Sequence, residues 1–166
     1  MDIQEFKDNL AELRMPMDSF VVLQLDAEGN DYMFLKYIRK NARYVASSPW
    51  AGRVYSNGCD KCATTPSEPC ILLGALIDNE PIKLGTLMQE ISSVTSPTMV
   101  IIMPDHERAL LGVARDVFKI YWSASRGNTI VPYDENDDDD EHEYDDDDDD
   151  DEVVQVAECV VLHPIN

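Results

Sequence analysis

One apolar stretch of this sequence is repeated, and at its first occurrence it reads Phe20-Val21-Val22-Leu23-Gln24-Leu25-Asp26. At its second occurrence it reads Met99-Val100-Ile101-Ile102-Met103-Pro104-Asp105. Both runs are short and rich in β-branched residues, which predicts a buried strand in each place. Each run ends in Asp-x-Glu, which predicts a turn after the strand.

A helical pattern and a short proline-containing loop precede each run. Apolar residues spaced i, i+3, i+7 and i+10 form one stripe of an amphipathic helix. The first stripe consists of Ile3, Phe6, Leu10 and Leu13, and the second consists of Leu84, Leu87, Ile91 and Val94. The sequence therefore predicts one helix before each strand.

The elements that follow the two runs also share their order. Strands are predicted over 43–45, 52–55 and 69–74 in the first half, and over 118–122, 127–131 and 158–163 in the second. A cysteine, Cys70 or Cys159, heads the last strand of each half. The apolar spacing in 107–116 favours a helix there. Residues 31–40 form a short helix in one interpretation and a further strand after a Gly29-Asn30 turn in the other.

Residues 82–166 thus have the pattern of a diverged second copy of residues 1–81. The predicted fold class is α+β, with two tandem α-β-β-β-β units, 1–81 and 82–166, packed as a pseudo-twofold pair. The alternative is a chance similarity between two α+β halves. A single unit of this size is expected to be only marginally stable by itself.

The charge is concentrated in one segment of the chain. The net charge is −20, and residues 134–152 contain 16 acidic side chains in 19 positions with no Lys or Arg. The other 147 residues carry 17 acidic and 13 basic side chains, a net charge of −4. Because like charges at this density repel each other, we expect 134–152 to be a solvated, disordered acidic insertion. Apolar sequence resumes at Val153, which predicts an insertion within the second unit.

Four segments together resemble a group of small acidic proteins of tailed bacteriophages and prophages. They are 21–30 (VVLQLDAEGN), 50–55 (WAGRVY), the Asp-rich segment, and the chain end 159–166 (CVVLHPIN). The resemblance covers about residues 3–56 and 153–166, and some 80 residues between them have no counterpart unless the chain is duplicated. It implies a phage origin and a small α+β unit, and it carries no known activity.

Three cysteines form the start of a metal-site pattern. Cys59-x2-Cys62 lies in a Gly-Cys-Asp-Lys-Cys turn and Cys70 follows, as in a zinc knuckle. A fourth ligand would have to come from Cys159, His106, His142 or His163. The alternative role for Cys70 and Cys159 is small apolar packing at a strand start. Asp26-x-Glu28-Gly29-Asn30 partly resembles a calcium-binding loop. Its glycine is at the wrong position and the bidentate acid at position 12 is missing, so a plain turn is predicted.

Several function classes find no support in the sequence. There is no G-x-S-x-G, P-loop, G-x-G-x-x-G or H-E-x-x-H pattern, so no enzyme is predicted. The net charge disfavours direct nucleic-acid binding. No apolar run reaches the length of a membrane span, and no signal-peptide pattern is present, so we expect a protein of the host cytoplasm.

The function predicted on these grounds is that of a non-enzymatic interaction protein. A polyanionic segment would bind the basic, nucleic-acid-binding surface of a host or defence protein, as a DNA mimic does. The expected contact residues are Trp50, as an aromatic anchor, and the aspartates Asp137, Asp138, Asp139, Asp140, Asp145, Asp146, Asp147, Asp148, Asp149, Asp150 and Asp151. The alternatives are a structural or assembly factor of a phage particle and a small zinc-stabilised module.

Overall fold

A computed structural model describes residues 1–24, 32–48, 51–60, 65–75, 79–103, 111–123 and 156–164 of the chain. Within these ranges the protein is a mixed α+β structure with two helices and eight strands. In chain order they are α1 (Ile3–Glu12), β1 (Phe20–Gln24), β2 (Tyr32–Phe34), β3 (Tyr37–Ser48), β4 (Ala51–Ser56), β5 (Glu68–Gly74), α2 (Leu84–Ile91), β6 (Met99–Met103), β7 (Gly112–Ser123) and β8 (Val156–Pro164).

All eight strands belong to one curled sheet in the order β2-β1-β8-β7-β6-β5-β3-β4. The pairs β1–β8 and β5–β6 are parallel, and the others are antiparallel. Only Leu35 and Lys36 separate β2 from β3, yet β2 pairs with β1 and β3 pairs with β5. The Leu35 amide donates to Val21 and the Lys36 amide to Gly74. The sheet therefore curls so that β2, at one end of the strand order, and β3, near the other end, come together at Leu35 and Lys36.

The main core lies between the two helices and the inner face of the curled sheet. The first three residues of each predicted helical stripe are buried there, with Phe6, Leu87 and Ile91 fully inaccessible to solvent, and the last residue of each stripe is partly buried. Alternate residues of the parallel pairs complete it: Val21, Leu23, Ile71, Leu73, Val100, Ile102, Val160 and Leu162. Such alternation is what strands with one face on a core require. Neither helix is long and apolar enough to cross a membrane, within the residues described.

The start of each helix is bound to the other half of the chain. The Ile3 amide at the start of α1 donates to the Thr98 carbonyl at 2.8 Å, and the Leu84 amide at the start of α2 donates to the Ser19 carbonyl at 2.9 Å. Two isolated bridges, Asp2 with Met99 and Lys83 with Phe20, lie beside these bonds. Each helix thus begins against the first strand of the opposite half.

The structure decides between the two interpretations of 31–40, and one helix prediction is wrong. Residues 32–34 and 37–48 are strands, so the strand interpretation of 31–40 is the correct one. Residues 112–116, the described end of the helix predicted over 107–116, belong to β7. The reason is that apolar residues cover both faces of this strand. Leu111 and Val113 pack against the cluster of Cys70 and Ile101, whereas Ala114 lies in the main core on the other face. Leu111 and Ala114 are three residues apart, which imitates helical spacing, but they lie on opposite faces of the sheet.

The remaining predicted strands are confirmed wherever the structure describes them. Residues 43–45 lie in β3, 52–55 in β4, 69–74 in β5, 118–122 in β7 and 158–163 in β8. The strand predicted over 127–131 lies outside the described residues.

Candidate functional site

The predicted contact residues for a partner lie outside the described residues. This holds for Trp50 and for every aspartate of 137–140 and 145–151. The structure does describe the two strands that flank the acidic segment. Ser123 at the end of β7 and Val156 at the start of β8 are partners in the antiparallel register. The connection that contains 134–152 therefore leaves and re-enters the sheet at one place.

The strand that follows the acidic segment is one of the central strands of the sheet. β8 pairs with β1 in parallel and with β7 in antiparallel, and Val160, Val161 and Leu162 are completely buried. The prediction that folded structure resumes after the acidic segment is confirmed over 156–164. The segment is consequently tied at both ends to core strands.

Several cations in the described part of the chain already have partners there. The Lys7 ammonium donates to the Val94 carbonyl at 2.6 Å, and Lys40 pairs with Glu90 at 2.7 Å. Lys83 lies 3.0 Å from the centre of the Phe20 ring. Even complete internal pairing would leave the chain at −20, because 13 basic side chains face 33 acidic ones. The protein thus cannot neutralise its acidic residues by itself.

The structure places the predicted metal ligands in two different environments. Cys59 is half-buried in the turn after β4, where its amide donates to the Ser56 carbonyl at 3.2 Å. Cys70 is 1% exposed and packs with Ala42, Leu72 and Ile101 on the outer face of the sheet. This matches the packing role considered for Cys70 in the sequence.

The zinc hypothesis stays a prediction. Cys62, His106 and His142 lie outside the described residues. His163 is at the end of β8, with Nδ1 at 3.7 Å from an Asp116 carboxylate oxygen. Within the described ranges no group of three His, Cys, Asp or Glu residues could hold a metal ion.

A buried tyrosine lies beside Cys70 in the same outer cluster. Tyr44 is 8% exposed, and burial raises the pKa of its phenol, with smaller contributions from Cys70 and Glu68. A Cβ atom on Gly52 of the adjacent strand would overlap the Tyr44 ring. The ring therefore covers the backbone of β4 at Gly52. This contact gives a structural role to the glycine of the Trp-Ala-Gly-Arg-Val-Tyr segment, residues 50–55.

The structure also contains a cavity that no sequence pattern predicted. It has a volume of about 370 Å³ and lies between β3 and the loop after α2. Its polar lining includes Lys40, Asn41, Arg43, Asn57, Ser93 and Thr95. The only sequence signal was the polar run Arg39-Lys40-Asn41 within an otherwise strand-like pattern, which is typical of a surface strand as well. We name this space the bulge cavity, because β3 has one extra residue relative to β5 between Arg39 and Ala42.

Comparison of the chain with protein-family models, with curated proteins and with solved structures finds no match.

Proposed function

We propose that this chain is a non-enzymatic acidic protein of phage origin. Its segment 134–152 binds the basic, nucleic-acid-binding surface of a host protein and competes there with nucleic acid. The observation that carries this proposal is the concentration of 16 acidic side chains in 19 positions, between two strands of the core. A polyanion fastened to a folded body can occupy a partner's cationic surface.

The spacing of charge supports mimicry of a nucleic acid. An extended polypeptide advances roughly 3.3–3.6 Å per residue, and each strand of DNA carries one phosphate charge per roughly 3.4 Å. Consecutive aspartates such as 145–151 can therefore offer carboxylates at the linear density of a phosphate backbone when extended. The same charge accelerates the encounter with a basic protein.

Trp50 is the proposed aromatic anchor of the same interface. It precedes β4, the last strand in the sheet order, which has β3 as its one neighbour among the described strands. Aromatic side chains are frequent binding hot spots because they bury much apolar area.

We also infer that residues 1–81 and 82–166 are tandem units packed about a pseudo-twofold axis. The parallel pairs support this, because Cys70 faces Met99 in the same way that Cys159 faces Phe20. These pairs are related by shifts of 89 and 79 residues, and the same shifts relate Leu72 to Val161 and Ile101 to Val22.

The outer hydrophobic clusters and the starts of the two helices also agree with a pseudo-twofold relation between the halves. Leu72 and Ile101 form part of one outer cluster, while Val161 and Val22 form the other. The reciprocal bonds of Ile3 and Leu84 to the opposite half support the inference as well. Under this proposal each unit supplies half of the main core.

The partner proposal is tested by binding from host lysate with charge-matched variants. One variant replaces Asp145–Asp151 by Asn. The control replaces an equal number of exposed acidic residues of the body by their amides: Glu5, Asp8, Glu12, Asp18, Asp60, Glu68 and Glu80. We expect the first variant to lose a partner that the wild type retains, and the control to keep it.

A salt titration and a competition experiment with DNA show how the partner is bound. The retained partner should dissociate as salt rises and should be displaced by double-stranded DNA, because the two polyanions share its surface. If both variants bind the partner as well as the wild type does, the acidic segment is not the binding element. Enrichment of the protein in purified phage particles, without such a partner, would favour the assembly-factor alternative.

A further inference from the structure

The bulge cavity lies beside an extra residue in β3. Between Arg39 and Ala42 the chain advances three residues while its partner β5 advances two, from Leu72 to Cys70. Asn41 adopts a left-handed backbone, with φ of 58°, which asparagine tolerates better than most residues. On β7, by contrast, Phe118 and Ile120 face Val161 and Cys159 in regular register. Register shifts also occur between Ala46 and Ser48 and between Ala114 and Asp116, but the shift between Arg39 and Ala42 is the one that adjoins this cavity, and such bulges frequently adjoin binding sites.

The residues that line the cavity carry a net positive charge, in contrast to the chain as a whole. Lys40 and Arg43 lie in its wall, and no carboxylate contributes to the wall among the residues that the structure describes. Asn41, Asn57, Ser93 and Thr95 add amide and hydroxyl groups that can donate hydrogen bonds. Two cations with neutral donors around a cavity form an environment for an anion.

The present partners of the two cations leave them able to bind a ligand. Lys40 pairs with Glu90, but their side chains are 39% and 44% exposed, and such surface pairs contribute little. Arg43 donates from Nε to the Ser67 hydroxyl at 3.1 Å and from a terminal nitrogen to the Ser67 carbonyl. A guanidinium has five N–H donors, so Ser67 positions the group without using all of them.

We propose that the bulge cavity binds a phosphate oxyanion, with Arg43 as the main ligand and Lys40 as the second cation. Arginine matches the geometry of phosphate oxygens by paired hydrogen bonds. The volume of about 370 Å³ is at the lower end of small-molecule sites, which suits a ligand of nucleotide size. The phosphate therefore comes either from a nucleotide or from free inorganic phosphate.

The test titrates the full chain with two probes, adenosine 5′-monophosphate and inorganic phosphate, by calorimetry and amide NMR. Salt near 0.15 M limits the long-range repulsion from the acidic segment, because the Debye length is then about 8 Å. We expect saturable binding of at least one probe, with the largest shifts at Asn41, Ser93 and Thr95. Binding of AMP alone identifies a nucleotide ligand, and equal binding of both identifies the oxyanion as sufficient.

Three variants locate the binding. Arg43→Gln should weaken it roughly tenfold or more, since it removes a charge-assisted contact. Lys40→Gln should weaken binding several-fold. If Arg43→Gln fails to fold, the Lys40→Gln variant tests the proposal in its place. The control is Arg115→Gln, an exposed cation on β7, which should leave binding unchanged. The proposal is overturned if neither probe saturates, or if Arg115→Gln weakens binding as much as the two cavity variants do.

Discussion

At the scale of single residues, the structure gives two sequence features a physical role. Cys70 occupies an apolar cluster at the start of β5, and Gly52 lies under the ring of Tyr44. Both roles come from contacts between β3 and its two neighbours. Neither contact is visible in the sequence, because the register of β3 with its neighbours decides which residues meet.

The contact between Gly52 and Tyr44 makes a testable prediction. Gly52→Ala should destabilise the protein by about 1–3 kcal/mol, because the added methyl group overlaps a buried ring. The measurement is urea-induced unfolding of the variant, of Tyr44→Ala and of the double variant. The two effects should be strongly non-additive, with Gly52→Ala costing little once the ring is absent. Additive effects would show that the overlap is not the cause.

At the scale of elements, the two helices start differently, although each begins beside a strand of the other half of the chain. Asp2 is the N-cap of α1, and its carboxylate accepts hydrogen bonds from the Gln4 amide at 2.8 Å, the Thr98 amide at 3.2 Å and the Ser96 hydroxyl. Lys83 at the start of α2 makes no such side-chain bond and lies over Phe20 instead. The Asp2 carboxylate thus joins α1 to the loop before β6.

Removing this cap should cost stability in a pH-dependent way. The Ser96 hydroxyl, followed by the Gln4 amide, holds the pKa of Asp2 below its ordinary value of 3.8. A lowered pKa stabilises the folded state above the unfolded pKa, and that contribution is lost as the pH falls through the folded pKa. Asp2→Ala should therefore cost about 1 kcal/mol at pH 7, and less at pH 3.

Urea-induced unfolding at both pH values measures this difference. The matched control is Asp18→Ala, another exposed aspartate near a strand start, which should change stability by less than about 0.5 kcal/mol. A gap between wild type and Asp2→Ala that is the same at pH 7 and pH 3 would contradict the role given to the carboxylate.

At the scale of the whole molecule, we expect the two halves of the chain to depend on each other for stability. The parallel pairs β1–β8 and β5–β6 both join residues of 1–81 to residues of 82–166. Their side chains include Val21, Val160 and Val100, which are completely buried. A half produced alone would expose these strands and half of the main core to water.

Separately produced fragments test this dependence. Neither 1–81 nor 82–166 should show cooperative thermal unfolding alone, and an equimolar mixture should regain it, because each supplies the strands that the other lacks. Circular dichroism follows the transition, and each fragment at doubled concentration is the control. Cooperative unfolding of 1–81 alone, at the transition temperature of the full chain, would show that the halves are independent.

Most of the helices and strands, and the distribution of charge, are predictable from the amino-acid sequence alone. The spacing of Ile3, Phe6 and Leu10 was enough for a helix, and the β-branched runs were enough for β1 and β6, because burial of one face imposes a period. The acidic concentration in 134–152 is a property of composition and needs no structure. Periodicity failed at Leu111 and Ala114, which are three residues apart but pack on opposite faces of the sheet.

The pairing of the strands and the position of the cavity follow from the tertiary structure. β1 pairs with β8, more than 130 residues away along the chain, and no local pattern encodes such a partner. The bulge cavity likewise depends on a register between β3 and β5 and on a loop that follows α2. Local sequence sets the preference of each segment for helix or strand, whereas pairing and cavity shape are set by how all the apolar faces are buried together.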